Sequence, residues 1–340
     1  MRKLLNILYI TTPESYLSKD GMNVVVSVKQ QEVFRIPIIN IEGIVTFGYM
    51  GVSPGLMKLC TENGVSLTFL SPNGRFVSRI QGRTKGNVLL RKIQYRLSDD
   101  EERCMHIAKL FVAGKIYNYR NVLRRYIRDY GENINVEDAA KALDMEKKDV
   151  LKSKDKEELM GIEGRAANRY FSVFPHLILQ QRTDFPFSGR NRRPPRDSVN
   201  AMLSLAYTLL ANDTAAALET VGLDPYVGFF HSLRPGRTSL ALDVMEELRA
   251  YFCDRFVLSL INKRQISVND FLCQGDKGVV LTEKGRKIFL EAWQNRKKEV
   301  IIHPYLNEKV PIGLLPYIQA MLLARYVRND IDDYPVFLFK

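Results

Sequence analysis

Two hydrophobic rhythms divide the chain near residue 90. Before that point the apolar residues come in short runs, LLNILYI, MNVVVSV, VFRIPI, GIVTF, VSLTFL and RFVSRI, separated by turn signals such as KDG, NIEG and SPNG. Short runs rich in β-branched residues and bounded by Gly, Pro, Asn and Asp predict strands. Ser71-Pro72-Asn73-Gly74 predicts a hairpin loop, and one helix is expected from about Ser53 to Asn63, stopped by Gly64. From about Val88 onward the apolar spacing lengthens to that of helices. It predicts helices over 99–130, 136–143, 156–179, 198–210, 240–260, 268–271, 281–296 and 312–328, with an irregular basic passage at 185–197. The expected class is therefore α+β: a mainly antiparallel β domain at 1–90, then a larger all-α domain at 91–340.

Charge changes this picture more than composition does. The 340 residues hold 50 Lys plus Arg against 38 Asp plus Glu, a formal charge of +12. Such an excess favours a polyanionic partner, nucleic acid or an anionic membrane surface. No run approaches the roughly 18 consecutive apolar residues of a spanning helix, and the brief N-terminal run contains Asn6 without a small-residue cleavage site. The expectation is a cytoplasmic protein that uses no membrane. Cys60, Cys104, Cys253 and Cys273 lie far apart with no C-x-x-C pair, so they are expected as isolated thiols.

The chemistry concentrates in GLDPYVGFFHSLRPGRTSLALDVMEELR. Asp243 and Glu246 stand three apart on an expected helix and so share a face that is otherwise largely apolar. Buried carboxylates are costly unless paired or bound to metal. His231 precedes a loop that could fold it back onto the same helix. Upstream, Glu163 sits in a first helical turn between Gly161 and Gly164, which would permit a close approach of backbone or ligand. Each signal has a plain structural alternative: a dipole-favoured acid, a satisfied histidine, an ordinary D-x-x-E pair. Oxygen donors with one nitrogen suit Mn2+ or Mg2+.

Three basic segments are candidates for phosphate contact. Arg120, Arg124 and Arg128 form an i, i+4, i+8 stripe interleaved with Tyr117, Tyr119, Tyr126 and Tyr130; a solvated helix face explains it as well. Lys147 to Lys156 is expected as a solvated, mobile connector. In GRNRRPPRDSVN, Arg190, Arg192, Arg193 and Arg196 stand around stiffening prolines, and phosphate contact is the favoured reading.

The segments GIEGRAANRYF, NRRPPRDSVNAMLSLAY, GLDPYVGFFHSLRPGRTSLALDVMEELR and PIGLLPYIQAMLLARYVRNDIDDYPVFLF, in that order, resemble the CRISPR-associated endonuclease and integrase of spacer acquisition, the first protein of the adaptation module. The closing segment is most similar to its type I-C version. The resemblance implies metal ligands at Glu163, His231 and Glu246, with Glu at the third position where many relatives have Asp. Asp243 is then a ligand, a water-mediated ligand or a group orienting His231. Glu247 is expected to pair with a nearby base. The implied activity is insertion of short DNA fragments into a CRISPR array by attack of a 3′-OH, needing Mn2+ or Mg2+. Implied partners are double-stranded DNA, a second copy joined through the β domains, and the small second adaptation protein. A DNA-binding scaffold without catalysis, or a repair nuclease for branched DNA, are the alternatives.

Overall fold

The computed structural model of the protein describes residues 6–48, 50–82, 88–191 and 194–339. Its first part folds as β1 (Ile7–Ile10), β2 (Ser15–Asp20), β3 (Asn23–Val28), β4 (Gln31–Pro37), β5 (Gly43–Phe47), β6 (Gly51–Val52), α1 (Pro54–Asn63), β7 (Ser66–Leu70) and β8 (Phe76–Ile80). The strands form two four-stranded sheets, β1-β5-β7-β8 and β4-β3-β2-β6. Helix α1 begins and ends where its signals stand. The Ser53 side chain accepts from Leu56 N at 3.2 Å, and Gly64 closes it at φ 68°. The Ser71–Gly74 turn joins β7 and β8 as an antiparallel hairpin.

The pairings are mixed. Strands β2/β3, β3/β4 and β7/β8 are antiparallel, whereas β1/β5, β5/β7 and β2/β6 are parallel. Strand β5, GIVTF, is buried throughout because parallel neighbours flank it on both sides. Both GIVTF and VVVSV are therefore interior strands, and the open edges belong to β1, β8, β4 and β6. Alternation along β5 divides its labour. Ile44 joins Leu17, Val24, Leu56 and Leu67 in a small core, while Val45 and Phe47 face the helices.

The remainder is mostly helical: α2 (Val88–Asp99), α3 (Glu101–Tyr130), α4 (Ile134–Lys152), α5 (Lys156–Leu177), α6 (Ser198–Val221), α7 (Ser239–Leu248), α8 (Arg255–Asn262), α9 (Glu283–Lys298) and α10 (Leu315–Val327). Asp100, Asp155 and Asp197 cap α3, α5 and α6 by accepting from backbone amides. Between α7 and α8 the chain makes a π-helical segment, Arg249–Asp254, so the single expected helix over 240–260 is one rod with an internal bulge. The Lys147–Lys156 run ends α4 and begins α5; only 153–155 lie outside a helix. Two short antiparallel ribbons add to the helices: β9 (Phe271–Cys273) with β10 (Val279–Leu281), and β11 (Val300–Ile302) with β12 (Lys309–Pro311). Residues expected as a helix at 268–271 make a 3-10 turn and then enter β9.

Helix α3, 30 residues long, is the spine. It packs against α4, α5 and α7 through Ile107, Phe111, Ile116, Tyr119 and Leu123. Gly114 lets the tail come close, since any Cβ there would collide with Val336. Among the described residues no helix is long and apolar enough to cross a membrane.

Candidate active site

The loop before α7 is shaped around one carboxylate. Asp243 is fully buried, and it accepts from the amides of Phe229, Phe230 and His231 at 2.6, 3.0 and 2.9 Å. Its Oδ1 also lies 2.6 Å from His231 Nδ1. A carboxylate only accepts, so Nδ1 carries a proton, and Nε2 is the nitrogen left to ligate a metal when the ring is neutral. Gly228 makes the wrap possible: a Cβ there would sit 2.6 Å from Asp243 Oδ2 and 2.8 Å from the Ser239 carbonyl carbon. Farther back, the buried Gln94 of α2 donates to the carbonyls of Asp224 and Val227, both at 2.8 Å, and accepts from Asp224 N at 2.9 Å. The histidine is thus held from both ends of its loop.

One turn along α7, Glu246 is 2% exposed and gathers positive charge. Arg249 Nη1 lies 2.7 Å from its Oε1, Lys115 Nζ lies 2.7 Å from its Oε2, and His231 Nε2 lies 3.6 Å from Oε1. Burial alone would raise the Glu246 pKa, but Arg249 and Lys115, with His231 behind them, bring it down to about 2. Glu246 Oε2 is buried against the Lys115 ammonium. Lys115 also donates to Glu163 Oε1, across from α3 to α5. Burial opposes the lysine charge, yet the attraction of Glu246 and Glu163 carries its pKa above the ordinary value.

Glu163, His231 and Glu246 therefore converge on one region, with Asp243 behind the imidazole. Glu163 is the most accessible of the carboxylates, its side chain 23% exposed. No other backbone of this chain approaches Gly161 or Gly164: the nearest atom to a Cβ at 161 is Arg165 Nη1 at 3.5 Å, and nothing lies within 4 Å at 164. Glu247 turns the other way and meets no base. It accepts from the Tyr334 hydroxyl, Phe337 N and Gln319 Nε2. Burial pushes its pKa up to about 7.

Lys115 and Arg249 escaped the sequence reading. The available signal for Lys115 was a lysine on the buried stripe of α3, four residues from Phe111 and four from Tyr119. For Arg249 it was the i+3 spacing from Glu246.

Among the described residues, no three His, Cys, Asp or Glu side chains are drawn tightly enough to hold a metal as they stand. Lys115 occupies the space between the two carboxylates. The donor set nevertheless suits a hard divalent cation: two carboxylates and an imidazole whose Nδ1 is held by Asp243, which leaves Nε2 as the ligating nitrogen.

The arginine candidates divide. Arg120 pairs with Asp144 at 2.5 Å over the Tyr117 ring, and Arg124 reaches the same carboxylate at 2.6 Å. Arg128 pairs with Asp129 at 2.9 Å. Tyr119 is buried and stacks on Tyr170, so it offers no surface to a base. Arg190 turns inward to Asn200 Oδ1 at 2.7 Å and Ser204 Oγ at 3.1 Å. Arg196 is exposed, whereas Arg192 and Arg193 lie outside the described residues. The continuous stripe narrows to Arg124 and Arg128, with Arg196 on a separate loop.

Known proteins share both the sequence and the fold. A family model described as CRISPR associated protein Cas1 matches residues 8–295. A CRISPR-associated endonuclease Cas1 of Chlorobaculum tepidum is 47% identical over 343 residues, covering 100% of both chains. Among solved structures, a casposase bound to integration product superposes with a TM-score of 0.83 at 24% identity, over 96% of this chain and 92% of that one. A Cas6-RT-Cas1–Cas2 complex gives 0.84 at 22% identity, over 100% of this chain and 37% of that longer one.

Proposed function

The chain belongs to the Cas1 family of CRISPR-associated endonucleases, and from that premise we propose that it inserts short DNA fragments into a CRISPR array by metal-dependent transesterification. The 3′-OH of the fragment attacks a phosphodiester at a repeat boundary. The new bond joins that oxygen to phosphorus, and the broken bond releases the 3′-oxygen of the repeat strand as an alcohol. With water as the nucleophile, the same site nicks DNA. No covalent enzyme intermediate is needed, so no Ser, Tyr or Cys nucleophile is required.

The observation that carries this reading is the convergence of Glu163 and Glu246 on one cation, with His231 Nε2 turned toward Glu246. In the proposal Glu163, His231 and Glu246 hold Mn2+ or Mg2+. The chemistry such a cation supplies when bound is polarisation of the scissile phosphate and a lowered pKa for the attacking hydroxyl. Asp243 acts through His231: four hydrogen bonds already use its two oxygens, so it fixes the tautomer and angle of the ring. Arg249 keeps Glu246 ionised. Arg124, Arg128 and Arg196 reach DNA phosphates, which suits a substrate of variable sequence.

The partners follow the same premise. The neighbouring structures include a casposase with integration product and a complex containing Cas2. Residues 1–90 would join two copies and the small Cas2-type partner, and residues 91–340 would carry the chemistry, in the cytoplasm.

The test combines purified protein, with and without that partner, with a short 3′-OH duplex and a repeat-containing plasmid in Mn2+. Products joined at repeat boundaries are expected, and Glu163→Ala and His231→Ala should abolish them. Wild-type rates in both variants would sink the assignment.

A further inference from the structure

Lys115 lies in the middle of the proposed site with no part in the reaction described so far. Its side chain is 1% exposed, and its ammonium touches Glu163 and Glu246 at once. A buried ammonium or a buried carboxylate alone is expensive, so each group here depends on the others. With Arg249 on Glu246, the set closes at zero: two carboxylates, one ammonium and one guanidinium. Bringing a doubly charged cation beside these four groups adds two positive charges, which the buried Asp243 carboxylate behind His231 offsets only in part. Either the lysine leaves the carboxylates or an anion enters with the metal.

From this balance we infer that Lys115 is a resident counter-cation, holding the metal's place between Glu163 and Glu246 until a DNA phosphate arrives to receive the displaced ammonium. The inference rests on the metal-site reading above. Its four-carbon stem gives the ammonium the freedom to turn from carboxylate to phosphate, as a guanidinium fork locked on two partners would not. Metal and DNA then bind cooperatively. Each raises the affinity of the other by the same factor, as linkage requires. Free protein keeps its carboxylates paired and binds metal poorly, which withholds cleavage until DNA is in place.

The experiment is a calorimetric Mn2+ titration of the full chain, alone and with a short duplex ending in 3′-dideoxynucleotides, so that nothing is joined. For wild type, the duplex should tighten Mn2+ binding by about tenfold or more. Lys115→Met should bind Mn2+ about tenfold more tightly than wild type without DNA and lose the dependence on DNA. Its melting temperature in chelator should fall, because the two carboxylates lose their shared partner. Lys115→Arg, which keeps the charge and the fold, should bind Mn2+ more weakly than wild type. Removing any nearby positive charge tightens metal binding, so the readout that distinguishes the counter-cation role is the loss of the DNA dependence in Lys115→Met. If Mn2+ binding by wild type is lost in Glu246→Gln but unchanged in Lys115→Met and Lys115→Arg, the counter-cation role is wrong and the metal site stands. If wild type binds no Mn2+ that Glu246→Gln removes, the metal-site reading falls first and takes this inference with it.

Discussion

Glu246 and Glu247 are adjacent on α7, equally buried and chemically identical, yet they inhabit opposite worlds. Glu246 faces Lys115, Arg249 and His231, and its pKa is drawn down to about 2. Glu247 faces the C-terminal tail, where a hydroxyl, an amide N–H and a carboxamide donate to it, and burial lifts its pKa to about 7. Neutral donors stabilise a carboxylate less than cations do, so the second side is a clasp while the first is a site poised for exchange. The clasp has a reason to be there. Asn118 of α3 donates to the carbonyls of Glu247 and Phe337 at 2.6 and 2.7 Å, and Phe339 N donates back to its side chain at 3.2 Å. The tail thereby ties α3 to α7, the two helices that carry Lys115 and Glu246.

Substitutions on the two sides should fail in different ways. Glu246→Gln or Glu163→Gln should lower DNA joining and nicking on the order of 100- to 1000-fold with a folded protein, as read by circular dichroism beside the plasmid assay. Asp243→Asn places an amide against three backbone donors and releases the His231 tautomer. Its cost in metal affinity or activity should be roughly 10- to 100-fold, smaller than loss of Glu246, and Mn2+ titration checks it. On the clasp side, Tyr334→Phe removes one donor to Glu247. It should cost about 1–2 kcal/mol of stability in denaturant unfolding, while joining per folded molecule stays at the wild-type rate.

A further buried carboxylate sharpens the same contrast. Asp254 accepts from Tyr207 at 2.6 Å, and burial raises its pKa from 3.8 to about 6. Between those values the folded protein holds a proton the unfolded chain has lost. Stability therefore falls as pH rises through this window, by about 3 kcal/mol in all. Asp254→Asn should flatten that part of the pH profile of unfolding, and an unchanged slope would contradict the raised pKa of Asp254. The smallest effect belongs to the surface: Arg196→Ala should weaken DNA binding uniformly across sequences and lower the salt slope by about one.

The local parts of this molecule were legible in sequence because their causes are local. Ser53 and Gly64 mark α1, and the apolar spacing finds the long helices, since a cap and a period are written within a few residues. His231 and the acids of α7 were legible for the same reason, since His231 and Asp243 stand only twelve positions apart. What escaped depends on distant chain. The parallel pairing of β5 with β1 and β7 leaves no turn signal, and three-residue strands such as β9 and β11 are too short to show a period. Lys115 meets Glu163 across a separation of 48 residues. The stripe left phosphate contact and a solvated face equally open, and the carboxylate that Arg120 and Arg124 share, Asp144, stands on the next helix.

The most direct test of the metal-site claim is diffraction from crystals of the protein with a short duplex ending in 3′-dideoxynucleotides, soaked in Mn2+, with anomalous data collected at the manganese edge. The expected result is one strong peak bonded to carboxylate oxygens of Glu163 and Glu246 and to His231 Nε2, with the Lys115 ammonium moved away from between them. A peak bonded through Asp243, or full density for Lys115 between the carboxylates with manganese bound elsewhere, would contradict it.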